Sequence, residues 1–294
     1  MNKKLVTILF ITLILIVIGS FAMNGSFSDK QILLISTTTS LEDTGLLDEL
    51  ETSFERKYPN IDVQIISAGT GIALEYGKKG DADLVIVHDK KREIEFVEEG
   101  FGTKRYPFAY NYFYILGPAD DPAKIKGMDN ATQAFDMIMK AGATNPELVK
   151  FVSRGDNSGT NFRELKIWNN TGTDYNQSVN GTQWYVETGK GMGDTLVIAN
   201  EKKAYTLSDS GTFLAYKGEI KLVPCVTSGK DLLNVYTAIP VNTAKIEGTN
   251  NEAAMKFVDF LLSQEGQKLI GNYGKDKYGK NLFTPLFGKS EPNS

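Results

Sequence analysis

Short apolar runs alternate with amphipathic stretches along most of this chain, and that alternation limits the possible folds more than any other feature. Ile32, Leu33, Leu34 and Ile35 form a compact run that suits a strand buried on both faces. Leu46, Leu47, Leu50 and Phe54 follow at helical spacing, and Pro59 stops that segment. The pattern predicts a second strand over 61–66, a short helix through Leu74 and Tyr76, and a third strand over 82–87. Strands separated by helices do not close as hairpins, so a parallel sheet with helices on its faces is expected.

Further along, the aromatic-rich stretch 110–116, closed by Gly117 and Pro118, reads as a strand leaving this first unit. Residues 129–140 read as a helix, 151–153 as a short strand, and Phe162, Leu165 and Trp168 as the face of another helix. The polar, Asn- and Gly-rich stretch 169–182 reads as a surface loop. A helix from Met192, a strand over 204–207 and a return strand over 235–241 complete the middle. Ala254, Phe257, Val258, Leu261 and Leu262 then lie on one face of an amphipathic helix. The expected architecture is α/β and two-lobed, with 31–112 and 235–294 in the first lobe and 113–234 in the second. Two crossings between lobes leave a cleft, where ligands prefer to bind.

The first thirty residues differ from the rest. Asn2, Lys3 and Lys4 precede an apolar run from 5 to 18, and Ser20-Phe21-Ala22 offers a signal-peptidase pattern. About 17–25 apolar residues also suffice to span a bilayer, so 1–30 is a cleaved signal peptide or an N-terminal membrane anchor. Both place the remainder outside the cytoplasm, secreted or tethered to the cell membrane. The net charge of −4 argues against nucleic acid, and makes any anion binding local rather than global. Cys225 is the only cysteine and His88 the only histidine, too few for a transition-metal cage. His88 ends the third strand, and with no Gly-x-Ser-x-Gly element it reads as structural rather than catalytic.

Four strand ends rich in Ser, Thr and Gly lead into helices: 37–40, 67–71, 154–160 and 208–212. Amides at a helix start point outward with partial positive charge, and small hydroxylic residues let an anion approach them. One such loop is an ordinary cap. Four in one two-lobed chain point to an anion site. The sharpest is Arg154-Gly155-Asp156-Asn157-Ser158-Gly159-Thr160. Arg154 can present a fork of donors to two oxygens, and Asp156 can orient that guanidinium. The glycine-rich stretch 189–193 lacks P-loop spacing and is expected to line the cleft or act as a hinge.

Taken in order, these pieces resemble the tungstate-binding proteins of ABC importers. The similar elements are Thr37-Thr38-Thr39-Ser40-Leu41, the run 82–88, the 154–160 loop, Gly191-Met192-Gly193-Asp194-Thr195-Leu196 and Tyr205-Thr206-Leu207-Ser208-Asp209. The 154–160 loop is also similar to the Arg-x-Asp-x-Ser-Gly-Thr loop of periplasmic phosphate binders. The resemblance implies a periplasmic-binding-protein type II fold and capture by lobe closure. It also implies delivery to an ABC permease, and through it to a cytoplasmic ATPase. By position it puts Thr39, Ser40, Thr70, Arg154, Ser158, Gly159 and Thr160 around the anion. No cofactor is expected, nor any metal beyond that of the oxyanion, and the protein is expected to be monomeric.

The expected function is therefore a solute-binding receptor for tungstate, with molybdate as a second ligand, and not an enzyme. The alternatives are a molybdate, phosphate or sulfate binder of the same fold, and, far behind, a surface phosphoester hydrolase. The hydrolase lacks a general base and a metal-ligand cluster.

Overall fold

The computed structural model describes residues 30–292. The apolar amino-terminal segment expected to serve as signal or anchor lies outside the described residues. Among those described, no helix is long and apolar enough to cross a membrane.

Strands β1 (Gln31–Thr38), β2 (Ile61–Ala68) and β3 (Leu84–Val87) are parallel, with β1 in the middle. Three helices lie between them: α1 (Thr39–Glu42), α2 (Leu46–Lys57) and α3 (Thr70–Lys79). A fourth, α4 (Lys90–Glu98), follows β3. Register pairs Thr38 with Ala68 and Thr37 with Ile86. The hydroxylic strand ends therefore share one edge with His88, which follows β3 directly.

The sheet is mixed, not wholly parallel as expected. β4 (Tyr106–Gly117) and β9 (Leu233–Pro240) are antiparallel neighbours, and β9 runs antiparallel to β3. The physical reason is the crossing itself. One strand leaves the first lobe, the other re-enters it, and neighbours running in opposite directions pair antiparallel. Up to Tyr112, β4 pairs with β9; from Phe113 it pairs with β7 (Thr206–Asp209) and, through Ile115 to Gly117, with β8 (Val223–Val226).

In the second lobe β5 (Phe151–Ser153) pairs in parallel with β6 (Tyr185–Glu187), and Phe151 bridges to Tyr205. Helices α5 (Ala131–Thr144) and α6 (Gly159–Asn170) pack beside them. A single turn, α7 (Tyr175–Ser178), interrupts the stretch expected to be loop. Asp174 accepts from the amides of Asn176 and Gln177 and so nucleates that turn despite the polar composition. Next come α8 (Met192–Glu201) and α9 (Ser210–Tyr216), and after β9 the first lobe is completed by α10 (Asn251–Leu262), α11 (Gln264–Asn272), α12 (Lys275–Tyr278) and β10 (Thr284–Pro285).

Two large buried clusters pack the molecule, one centred on the first lobe and reaching Val152, Met192 and Phe213 of the second, the other within the second. Leu33, Ile35, Leu50, Phe54, Phe257 and Leu261 are fully buried in the first, where Phe54 meets Phe257 edge-on at 4.9 Å. Phe135, Phe151, Trp168 and Trp184 pack the second, with Phe135 and Trp168 at 4.3 Å. Each such side chain contributes about 1.5–3 kcal/mol on burial.

Candidate functional site

Arg154 follows β5 and is 2% exposed. Its backbone oxygen accepts from the Gly189 amide at 2.8 Å and the Thr188 hydroxyl at 3.3 Å. The glycine-rich stretch thus fixes Arg154 in place. Gly155 and Asn157 take left-handed φ values of 60° and 57°, which folds the loop tightly before α6. A buried carboxyl, Glu164 on α6, ties down the strand end: it accepts from Ser153 Oγ at 2.6 Å, Trp168 Nε1 at 3.0 Å and Tyr185 OH at 2.7 Å.

The guanidinium spends one edge on Asp156. Nε and Nη2 donate to Asp156 Oδ2 at 3.0 and 2.5 Å, while Oδ1 accepts from the Ser158 amide at 3.1 Å. Nη2 also reaches Thr39 Oγ1 of the first lobe at 3.3 Å. Nη1 is buried without a protein partner. Only part of the fork is therefore open to an anion, and the Ser158 amide is already engaged. Ser158 Oγ caps α6 by accepting from the Asn161 amide. The donors this loop still offers at the helix start are the amides of Gly159 and Thr160 and the Thr160 hydroxyl, whose Oγ1 is buried and unpartnered.

The first lobe faces it with two loops. Thr38 caps the Leu41 amide, and Ser40 Oγ lies 3.3 Å from Thr38 Oγ1 and 3.2 Å from His88 Nε2. Gly69 opens α3 with no side-chain cap, which leaves its first amides free, and Thr70 Oγ1 is buried and unpartnered. The lobes touch here. A Cβ placed on Gly69 would sit 3.8 Å from Asp156 O, and one on Gly159 would sit 2.8 Å from His88 Cε1 and 2.9 Å from Thr70 Oγ1. Glycine at 159 lets α6 approach the His88 and Thr70 side chains, whereas at 69 a Cβ would make only an ordinary contact.

The fourth loop behaves differently. Asp209, fully buried, accepts from the Thr212 amide at 2.9 Å and the Thr212 hydroxyl at 2.7 Å. It occupies the start of α9 with a carboxylate of its own. Burial raises its pKa from the ordinary aspartate value. The buried carboxyl at the start of α9 makes this loop less suited to an anion than the starts of α3 and α6.

Residues 24–265 match the model of the PBP superfamily domain. The chain belongs to the PBP superfamily. It is 47% identical over 272 residues to a Haloferax volcanii protein assigned as the anion-binding component of an ABC transporter, spanning 91% of this chain and 75% of that one. It is 42% identical over 260 residues to the tungstate-binding protein TupA of Peptoclostridium acidaminophilum, 88% of this chain and 87% of the relative. Among solved structures, the tungstate-binding protein TupA from Desulfovibrio alaskensis G20 superposes with a TM-score of 0.73 at 41% identity, covering 87% of this chain and 98% of that one.

The two-lobed α/β architecture is the type II fold of periplasmic binding proteins. In this PBP chain the hydroxyls of Thr39 and Ser40, those of Thr70 and Thr160, Arg154 and the Gly159 amide gather where the two lobes meet. Ser158 stands beside them as a cap. His88, read from the sequence as a structural residue at a strand end, is 4% exposed and lies with Nε2 3.2 Å from Ser40 Oγ. No signal short of the fold pairs residues 48 positions apart.

Proposed function

We propose that this protein is the extracytoplasmic solute-binding receptor of an ABC importer and captures tungstate, with molybdate as the nearest competitor. The observation that carries the reading is the set of buried, unpartnered polar atoms at the lobe junction: Arg154 Nη1, Thr70 Oγ1 and Thr160 Oγ1. Leaving a buried donor unmade costs about 1–3 kcal/mol, so a cluster of them suits a ligand rich in acceptors. A tetrahedral oxyanion is such a ligand. The first lobe, 31–112 with 235–294, would close on the second, 113–234, with Thr39, Ser40, Thr70, Arg154, Ser158, Gly159 and Thr160 around the anion.

Selectivity against phosphate follows from the acceptors. Tungstate carries no proton at neutral pH, whereas monohydrogen phosphate carries one and gains from an acceptor in its site. Both oxygens of Asp156 are engaged by Arg154 and Ser158, and both oxygens of Asp209 by Thr212. A phosphate proton would therefore have to share a carboxylate that already serves protein donors. The protein acts as a monomeric receptor without a cofactor and without turnover, secreted or held at the membrane by its N-terminal segment. It passes the anion to a permease driven by a cytoplasmic ATPase.

Competition calorimetry with tungstate, molybdate, sulfate and phosphate tests the reading. Tungstate at or above molybdate, with sulfate and phosphate far weaker, is expected. Displacement of tungstate by phosphate at equal concentration would rule out a donor-only site.

A further inference from the structure

His88 lies where β3 meets the cleft and is 4% exposed. Its Nε2 is 3.2 Å from Ser40 Oγ, and its Nδ1 is buried without a partner. The Nδ1–Cε1 edge faces α6 of the opposite lobe. A Cβ on Gly159 would lie 3.1 Å from Nδ1, 2.8 Å from Cε1 and 2.9 Å from Thr70 Oγ1. The ring edge, the unpartnered Thr70 hydroxyl and the start of α6 therefore converge on one spot. A groove of about 350 Å³, lined in part by His88, Gly159, Phe162 and Arg163, opens beside it.

We propose that His88 is a specificity-determining contact of the anion: its neutral ring accepts the Ser40 hydroxyl proton at Nε2 and turns an Nδ1–H donor toward an unprotonated anion oxygen. The proposal rests on the oxyanion reading above. Thr38 Oγ1 accepts from the Leu41 amide and stands 3.3 Å from Ser40 Oγ, so its own proton can go to Ser40. Ser40 then donates to Nε2, and the ring proton is left on Nδ1. The opposite tautomer would turn a lone pair into the cleft, repelling a bare oxygen and favouring an anion that brings a proton.

The surroundings keep the ring uncharged. Burial first, then the positive charges of Arg163 and Arg154, push His88 down to about 3. Asn234 is the other group within reach of the ring, and its Oδ1 is likewise buried and unpartnered. It is the rival partner for Nδ1.

The protein has one histidine, so selective nitrogen-15 labelling gives a single imidazole to follow by NMR. With saturating sodium tungstate the ring is expected to be neutral, protonated at Nδ1, and to show that proton displaced from its anion-free position. His88→Gln places an amide near Nε2 but removes the Nδ1 donor. It is expected to weaken tungstate binding about tenfold or more at unchanged melting temperature. His88→Asn places an amide nitrogen close to Nδ1 and is expected to keep more of the affinity. A role limited to holding Ser40 reverses that order. An Nε2–H tautomer in the tungstate complex, or an unmoved Nδ1–H while calorimetry shows binding, overturns the proposal and leaves the oxyanion reading standing. Absence of tungstate binding by the wild-type protein overturns both.

Discussion

Arg154 Nη2 donates to Thr39 Oγ1 at 3.3 Å, a hydrogen bond that runs from the second lobe to the first. The same guanidinium is held by Asp156, so its charge is partly matched before any ligand arrives. It is nevertheless the cation embedded in the donor loops.

Replacing Arg154 with Gln should weaken tungstate binding by about 2–5 kcal/mol, because the anion loses its countercharge while Asp156 keeps its own. Arg154→Lys should fall between, since the ammonium keeps the charge but not the planar fork. The Gln variant also frees Asp156 Oδ2, so phosphate should lose less than tungstate and the preference should narrow. Titration calorimetry on variants with native melting decides the matter. Wild-type affinity in Arg154→Gln would place Arg154 outside the site.

How far the sequence revealed the site depended on how local each interaction is. The loops holding Thr39, Thr70 and Arg154 were legible because a strand end, a small hydroxylic residue and a helix start lie within a few positions of one another. The capping of Thr212 by Asp209 was not legible, because composition does not show which way a side chain turns. β8 escaped notice because it is four residues long and contains Pro224, which lacks an amide to pair. The antiparallel crossings could not be read from periodicity, which reports burial and not strand direction.

Arg92 on α4 stacks on Phe162 of α6, with the guanidinium carbon 3.2 Å from the ring centre. This contact also joins the lobes, at some remove from the donor loops. Cation–π contacts contribute about 0.5–2 kcal/mol depending on desolvation. Phe162→Ala should therefore speed tungstate release severalfold and leave the melting temperature of the anion-free protein nearly unchanged. Stopped-flow displacement of bound tungstate by excess molybdate reads the rate. An unchanged rate would show that the stack does not hold the lobes together.

Stability should depend on pH through Glu164. Burial is the main cause that raises its pKa from 4.5 to about 7, against the lowering effect of its bonds from Ser153, Tyr185 and Trp168. The folded protein thus holds this proton more tightly than the unfolded chain. The contribution is complete below pH 4.5 and is lost as pH rises toward 7, about 3 kcal/mol in all. Glu164→Gln is neutral throughout. Wild type minus variant melting temperature should be higher at pH 5 than at pH 8, and a difference independent of pH would mean that Glu164 does not titrate in this window.

Gly159→Ala separates folding from closure. Gly159 is the first residue of α6 and its φ is not in the left-handed region, so alanine suits the helix and should cost the isolated lobe nothing. The added methyl would meet His88 Cε1 at 2.8 Å and Thr70 Oγ1 at 2.9 Å, both from the opposite lobe. Neither neighbour moves easily, because His88 is fixed by Ser40 and Thr70 opens α3. Overpacking of this kind costs about 1–3 kcal/mol, and here the cost falls only on the closed state. The variant should melt at or above the wild-type temperature without ligand, yet bind tungstate about tenfold or more weakly. In solution scattering, tungstate should contract the wild-type protein and contract the variant less. Full contraction with wild-type affinity would mean that the lobes do not close on this glycine, and that the anion binds without the juncture of Gly159, Thr70 and His88.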